Sequence, residues 1–169
     1  MKGLYFSYIK WDRKHYIYIF AKEKGLSRVY LSDPISFKPY LERIEKEERI
    51  IKRENAIILS AIDSLEYYIK REPKFLEHIP LLLEGTEFQR RVWLELKKIP
   101  FGKVVTYKDI GERIGIEKGY RAIGRACALN KFPIFIPCHR VIGSDKKLKG
   151  FSSGVEWKRF LLRHEGIIL

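Results

Sequence analysis

Residues 130 to 142 read Asn-Lys-Phe-Pro-Ile-Phe-Ile-Pro-Cys-His-Arg-Val-Ile. Pro133 and Pro137 exclude an ordinary helix interior, because each lacks a backbone donor and fixes φ. Ile134, Phe135 and Ile136 form an apolar bridge between them that reads as strand, so Cys138 is expected at the end of a buried extended segment. A thiol is a useful nucleophile only as thiolate, and histidine, cationic neighbours or a helix N-terminus lower its pKa. His139 and Arg140 follow at once. In extended backbone adjacent side chains face opposite ways, so His139 is expected to reach the sulfur only through a bend or a bridging water. The plainer reading of a lone Cys-His pair is a buried structural cysteine beside a capping histidine.

Outward from this stretch, Thr86 with Gln89 has capping-box spacing and predicts a helix with Phe88, Val92, Trp93 and Leu96 inside. Pro100-Phe101-Gly102 ends it. Thr106 with Asp109 marks another N-terminus, giving a short amphipathic helix from Tyr107 to Ile114 closed by Gly115. A turn containing Gly119 leads to a helix from Tyr120 to Leu129. Two short helices joined by a tight turn in a basic context make a helix-turn-helix candidate. The second is a thin rod of Arg121, Ala122, Gly124, Arg125, Ala126, Cys127 and Ala128, without the Asn and Gln that commonly read adenine in the major groove. Close packing of Gly124 and Ala128 on a neighbouring helix is the structural alternative. Residues 143 to 154 read as loop, and Val155 to Glu165 as a terminal helix with Trp157, Phe160 and Leu161 inward. Glu165 on its last turn sits at the negative end of the helix dipole and calls for a cationic or imidazole partner.

Toward the amino terminus, residues 3–10 and 15–21 are rich in aromatic and β-branched residues and predict a hairpin, with a third strand over Leu26 to Leu31 ahead of Pro34. From Tyr40 to Tyr68 the apolar residues recur at helical spacing, as one long helix or two. The Glu/Lys run at 42–54 reads as a solvated helix face. Residues 71 to 80, with Pro73 and Pro80, are the linker candidate, and Leu81 to Leu83 a short strand. The expected division is an α/β domain over 1–80 and a second domain over 81–169.

With 169 residues, 46% apolar and 14% aromatic, the chain can build a real core. Its net charge of +13 is uneven: residues 85–169 carry 18 Lys and Arg against 8 Asp and Glu, residues 1–84 carry 16 against 13. A basic half that coincides with the motif suits a polyanion such as nucleic acid. Neither a membrane span nor a signal peptide is read, so a cytoplasmic protein is expected. Cys127 and Cys138, the two cysteines, make no disulfide framework and no zinc ligand set.

The string Ile-Pro-Cys-His-Arg-Val-Ile with Asn130 eight residues before the cysteine resembles the active-site signature of the methylated-DNA-protein-cysteine methyltransferases, the O6-alkylguanine-DNA alkyltransferases. Gly-Thr-Glu-Phe-Gln-Arg-Arg-Val-Trp (85–93), Gly-Lys-Val-Val-Thr-Tyr (102–107), Arg-Ala-Ile-Gly (121–124) and His-Glu-Gly (164–166) are similar to the family in the same order. The likeness covers roughly the second half of the chain.

The resemblance implies an α+β protein, with a small ribonuclease-H-like amino-terminal domain of antiparallel strands plus helix. The carboxy-terminal domain would be mainly helical, with a winged-helix-like helix-turn-helix. It implies DNA repair by irreversible, single-turnover transfer of an alkyl group from O6 of guanine, and from O4 of thymine, to Cys138. His139 would draw the thiol proton through a water and Glu165 would orient and charge His139. Asn130 would hold the backbone around the cysteine, and Tyr107 would donate to the leaving base. Tyr107, Val141, Ser152, Lys158 and Pro133 would line the substrate site, with Ser152 bonding O6. The carbonyls of Cys138 and Val141 would accept from the exocyclic amine, and Lys158 would sit at the pocket edge.

Arg121, Ala122, Gly124, Arg125 and Ala128 would face the DNA minor groove, Arg121 filling the space of a flipped nucleotide. Phe151 stands where the family often has tyrosine, Ser153 where it has glycine and Gly150 where it has asparagine, which implies a tighter loop wall. The implied partner is double-stranded DNA containing O6-alkylguanine, bound by a monomer that needs no cofactor and no metal. Two other classes fit parts of the sequence. A non-catalytic alkyl-lesion sensor lacks the thiol that Cys138 supplies, and a helix-turn-helix regulator calls for base-reading side chains that this helix lacks.

Overall fold

The reversal between Lys10 and Tyr16 starts the first layer. Asp12 accepts from the backbone N–H groups of Lys14 and His15 (2.8 and 2.9 Å) while Trp11 N–H donates to His15 C=O (2.9 Å), which closes a tight loop. On either side of it run β1 (Leu4–Lys10) and β2 (Tyr16–Lys22), antiparallel, followed by β3 (Gly25–Ser32) antiparallel to β2. The computed structural model describes residues 3–169. The hairpin and the third strand match the sequence reading. β4 (Ile50–Ile51) adds a parallel pairing to β1, so the sheet order is β3-β2-β1-β4.

Strand alternation gives the sheet two apolar faces. Leu4, Tyr18 and Phe20 pack with Phe37 and Ile44 of α1 (Pro34–Glu47). Ile17, Ile19 and Ala21 point the other way, where α2 (Ala56–Ile69) lies along β1 and β2 with Ile58, Ala61, Leu65 and Tyr68 buried.

Of the two readings for residues 40–68, one helix or two, the structure has two helices, separated by β4, and the first begins earlier than the periodicity predicts. Pro34 opens α1 because its missing donor falls where a helix has no use for one, and Asp33 caps it by accepting from Ile35 N–H and Ser36 N–H. The Glu/Lys run at 42–54 is therefore not one helix face. It leaves the helix after Glu47, and Glu48 pairs with Arg28 at 2.9 Å and with Lys22 at 3.7 Å. Leu81 makes a single parallel bridge to Leu26, and the chain divides into two units after Leu82.

In the second unit, α3 (Glu87–Leu96) has the full capping box of Thr86 and Gln89, and buries Val92, Trp93 and Leu96. Phe88, expected inside, is half-buried. Trp93 Nε1 donates to Ala126 C=O at 2.9 Å, a buried bond that ties α3 to α5 (Tyr120–Ala128). α4 (Tyr107–Arg113) has its own capping box of Thr106 and Asp109. At Gly111 a Cβ would stand 2.8 Å from the Ile116 carbonyl and 3.3 Å from Ile123, so only glycine lets the turn fold back and seat α5 on α4. β5 (Val105–Thr106) pairs in parallel with β6 (Val141–Ile142), and α6 (Val155–His164) closes the unit.

The segment before the cysteine is not the extended strand its composition predicts. Ile134 has φ of 74°, Ile136 N–H donates back to Phe132 C=O (2.8 Å), and Cys138–Arg140 form a turn of 3-10 helix. The cause is Asn130. Its Oδ1 accepts from Phe132 N–H (2.9 Å) and its Nδ2 donates to Ile136 C=O (2.8 Å), pinching residues 132–136 into a loop in place of a sheet ladder. The prolines at 133 and 137 have no N–H to give to such a ladder. Among the described residues no helix is long and apolar enough to cross a membrane.

Candidate active site

Asn130 comes just after Leu129, the C-cap of α5, and is buried. Its amide has a further hydrogen to give, and Nδ2 lies 3.1 Å from Cys138 Sγ. The loop that Asn130 pinches therefore delivers the thiol onto Asn130 itself. Cys138 is 3% exposed, and this burial pushes its thiol up. The Asn130 hydrogen bond and the Lys158 charge pull the other way without overcoming it. Burial thus favours the thiol over the thiolate at rest, as a proton to be drawn off by His139 requires. Arg140 turns away from the sulfur, to Glu165.

His139 Nε2 lies 2.6 Å from Glu165 Oε1, both side chains fully buried. Arg140 donates to the same carboxylate through Nε (2.9 Å to Oε2) and Nη2 (3.0 Å to Oε1), and through Nη1 to Ile99 C=O (2.6 Å). Gly102 N–H adds a bond to Oε2 at 3.0 Å. Gly102 has φ of 73°, and a Cβ there would come within 3.3 Å of the Glu165 carbonyl, so the turn after α3 hugs the end of α6. The helix-end carboxylate thus finds both the imidazole and the cation it calls for. Burial pushes the Glu165 carboxyl up, but His139 and Arg140 outweigh it and hold the group far below the usual carboxylate range.

Burial lowers the His139 imidazole below 6.5, against the pull of Glu165 and with help from Arg140 and Lys158. Since an ionised carboxylate only accepts, the neutral ring carries its proton on Nε2. Nδ1 is then the lone-pair nitrogen, and it is buried without a hydrogen-bond partner.

The other expected residues divide between this cluster and the surface. Tyr107 opens α4 half-buried. Burial, then the fields of Cys127 and Cys138, push its hydroxyl far up, so it stays a donor. Lys158 is not at a pocket edge: it is fully buried, donates to Val141 C=O at 2.6 Å and sits 5.9 Å from the Tyr107 ring centre. The Val141 carbonyl expected to face a substrate amine thus already accepts from an ammonium. The Cys138 carbonyl likewise accepts from Val141 N–H.

Pro133 is buried in the pinched loop. Ser152 is exposed on the loop between β6 and α6, and no hydrogen bond joins it to the cluster among the described residues. On α5, Arg121, Ala122, Arg125 and Ala128 are exposed along one face, with Gly124 half-buried between them. A Cβ on Gly124 would meet only Tyr107, at 3.9 Å, so close helix packing does not explain these small residues. Among the described residues no group of three His, Cys, Asp or Glu could hold a metal ion.

Sequence reasoning missed the role of Arg140. Its signal was present in the carboxylate at the negative end of the last helix, for which Arg140 was one of the cations available.

The site thus consists of a buried thiol bonded by an amide, followed in the chain by a buried imidazole that is braced by a carboxylate. Residues 87–167 match the family model of the 6-O-methylguanine DNA methyltransferase DNA binding domain. The chain is 39% identical over 150 residues to a methylated-DNA-protein-cysteine methyltransferase of Methanosarcina acetivorans, covering 89% of this chain and 91% of that one. With the constitutive methylated-DNA-protein-cysteine methyltransferase of Bacillus subtilis it shares 37% identity over 152 residues, 88% of each chain. Among solved structures, the Mycobacterium tuberculosis O6-methylguanine methyltransferase superposes with a TM-score of 0.77 at 29% identity, over 98% of this chain and 93% of that one. The chain belongs to the methylated-DNA-protein-cysteine methyltransferase family.

Proposed function

We propose that this protein repairs double-stranded DNA by moving a methyl or other alkyl group from O6 of guanine, and from O4 of thymine, to Cys138 in one irreversible step. The observation that carries the assignment of residues is the Cys138 thiol, held at 3.1 Å by Asn130 in the loop beside the His139–Glu165 pair, in a chain of this family. A related M. tuberculosis structure, described as OGT in complex with DNA, superposes with a TM-score of 0.68 at 27% identity over 95% of this chain and 92% of that one.

In the proposed reaction the thiol proton passes to His139 Nδ1 through a water as Sγ attacks the alkyl carbon. The S–C bond forms, the C–O6 bond breaks with its electron pair on guanine, and guanine ends with the proton. Tyr107, held protonated, supplies a hydrogen bond to the base as negative charge develops. Asn130 favours the thiolate through its bond to sulfur. A thioether is not hydrolysed under these conditions, so each molecule acts once.

O6 and its alkyl group lie within the duplex, out of reach of a buried thiol, so the nucleotide must be extruded, at a cost of a few kcal/mol. We assign DNA contact to the helix-turn-helix of α4 and α5 in a domain over 81–169. Arg121 on the exposed face enters the vacated space, while Ala122, Gly124 and Ala128 keep the helix slim enough for the minor groove. A winged-helix-like arrangement of this domain rests on the family resemblance, since the β5-β6 pair is parallel and is not the antiparallel hairpin of a wing. The order β3-β2-β1-β4, with β4 parallel to β1, supports a ribonuclease-H-like domain over 1–80. A nucleophilic thiol suits a reducing compartment, consistent with the cytoplasm.

The test is a single-turnover assay on duplex DNA carrying one O6-methylguanine. The expected result is guanine restored in the DNA in a one-to-one ratio with protein and no second round. Repeated turnover, or a lesion left unchanged, would overturn the proposal.

A further inference from the structure

We infer that Arg140 is a positioning residue for the transfer: by holding both oxygens of Glu165 and the Ile99 carbonyl, its guanidinium offsets the carboxylate charge so that His139 meets the Cys138 proton as a neutral base. The inference rests on the alkyl-transfer reading and adds a division of labour within it.

A buried carboxylate against a single imidazole has a strong reason to form the ion pair, because the isolated charge is costly in a low dielectric. An imidazolium has no lone pair, so a histidine already charged by Glu165 could not take a proton from the thiol. Arg140 removes that reason. Its charge is permanent, and Nε and Nη2 fork onto the carboxylate at 2.9 and 3.0 Å. Nη1 is anchored at 2.6 Å on the Ile99 carbonyl, which fixes the fork to the turn after α3. With Gly102 N–H on Oε2, both carboxylate oxygens are well supplied, and His139 contributes one neutral N–H.

The charged groups that act on His139 are Glu165 at the end of α6, Arg140 in its own turn and Lys158 in α6. Two of the three are cationic, and the free nitrogen Nδ1 is buried without a partner. Once His139 has taken the thiol proton, Arg140 and Lys158 repel the imidazolium and favour passing that proton on to the departing guanine. Arg140 therefore works through Glu165 and His139 and touches neither sulfur nor substrate.

Nitrogen NMR of the histidine-labelled, unreacted protein tests this directly. In the unmodified chain His139 should be the neutral Nε2–H tautomer at pH 7. In Arg140→Gln its titration should move up by about one to three pH units, and Arg140→Lys should bring it part of the way back. The acid limb of Cys138 alkylation by free O6-benzylguanine should move up with it. A doubly protonated His139 at pH 7 in the unmodified protein would overturn the inference even if Arg140→Gln does not fold. So would an unchanged titration in a folded Arg140→Gln. The NMR measurement uses neither DNA nor alkyl donor, so failure of the unmodified protein to accept an alkyl group would count against the transfer reading alone.

Discussion

Asn130 is the residue on which the site turns, since one amide shapes the loop and touches the sulfur it delivers. Asn130→Ala should leave Phe132 N–H buried without its acceptor, a loss of about 1 to 3 kcal/mol. Ile136 C=O would still accept from Cys138 N–H. Chemical denaturation should register that loss. Thiol titration with a disulfide reagent should separately show Cys138 ionising at higher pH than in the unmodified chain. A stable variant with an unchanged thiol titration would remove Asn130 from both roles. At this scale the sequence was informative about identities and poor about directions. Cys138, His139 and Glu165 stood out by residue type, as a thiol, an imidazole and a helix-end carboxylate, but the roles expected of them came from the family resemblance and not from those types alone. The destination of Arg140 could not be read, because in a 3-10 turn successive side chains fan out by about a third of a turn. The neighbour that looks like a thiolate partner therefore points to the far end of the chain.

Among the elements, α5 carries the sharpest expectation, because its exposed face holds two arginines with different proposed tasks. Arg125→Ala removes the side chain that we assign to backbone phosphate. It should weaken all duplexes alike and lower the slope of log affinity against log salt by about one unit. Arg121→Ala removes the group proposed to fill the flipped nucleotide's space, at a cost comparable to a charged hydrogen bond, about 1.5 to 3 kcal/mol. It should slow transfer from duplex DNA about ten- to hundredfold, since each 1.4 kcal/mol is a factor of ten, while sparing transfer from free O6-benzylguanine. Equal slowing of both reactions would assign Arg121 to the pocket or the fold.

Helix starts with a local chemical cause were legible in the sequence: the capping boxes at Thr86 and Thr106 form as their spacing predicts. The loop at 132–136 was not, because its shape comes from a side chain outside the apolar run. The start of α1 at Pro34 was hidden for a related reason. A proline that ends a strand also suits the first position of a helix.

For the whole molecule, the buried His139–Glu165–Arg140 group makes stability fall on the acid side. The folded-state pKa of His139 lies below its usual 6.5, so as the pH drops through 6.5 the unfolded chain takes up a proton that the folded chain refuses. Glu165 is depressed below 4.5, so its contribution is complete above that value and disappears as the pH falls through its folded value. Calorimetry should therefore show Tm decreasing from about pH 6.5 downward, more steeply below the ordinary carboxylate range. A Tm unchanged between pH 7 and pH 5 would contradict the placement of a neutral imidazole in the core. The excess of positive charge in residues 85–169 was readable from composition, and it lies in the half that matches the DNA-binding family model. What composition could not show is that Cys138 is buried, where desolvation favours the thiol over the thiolate. The most direct test of the central claim is peptide-level mass mapping after one round with duplex DNA containing O6-methylguanine. The account predicts one added CH2 on the peptide bearing Cys138, none on that bearing Cys127, and none at either position in Cys138→Ser. A methyl group found on any other residue, or transfer that persists in Cys138→Ser, would contradict it.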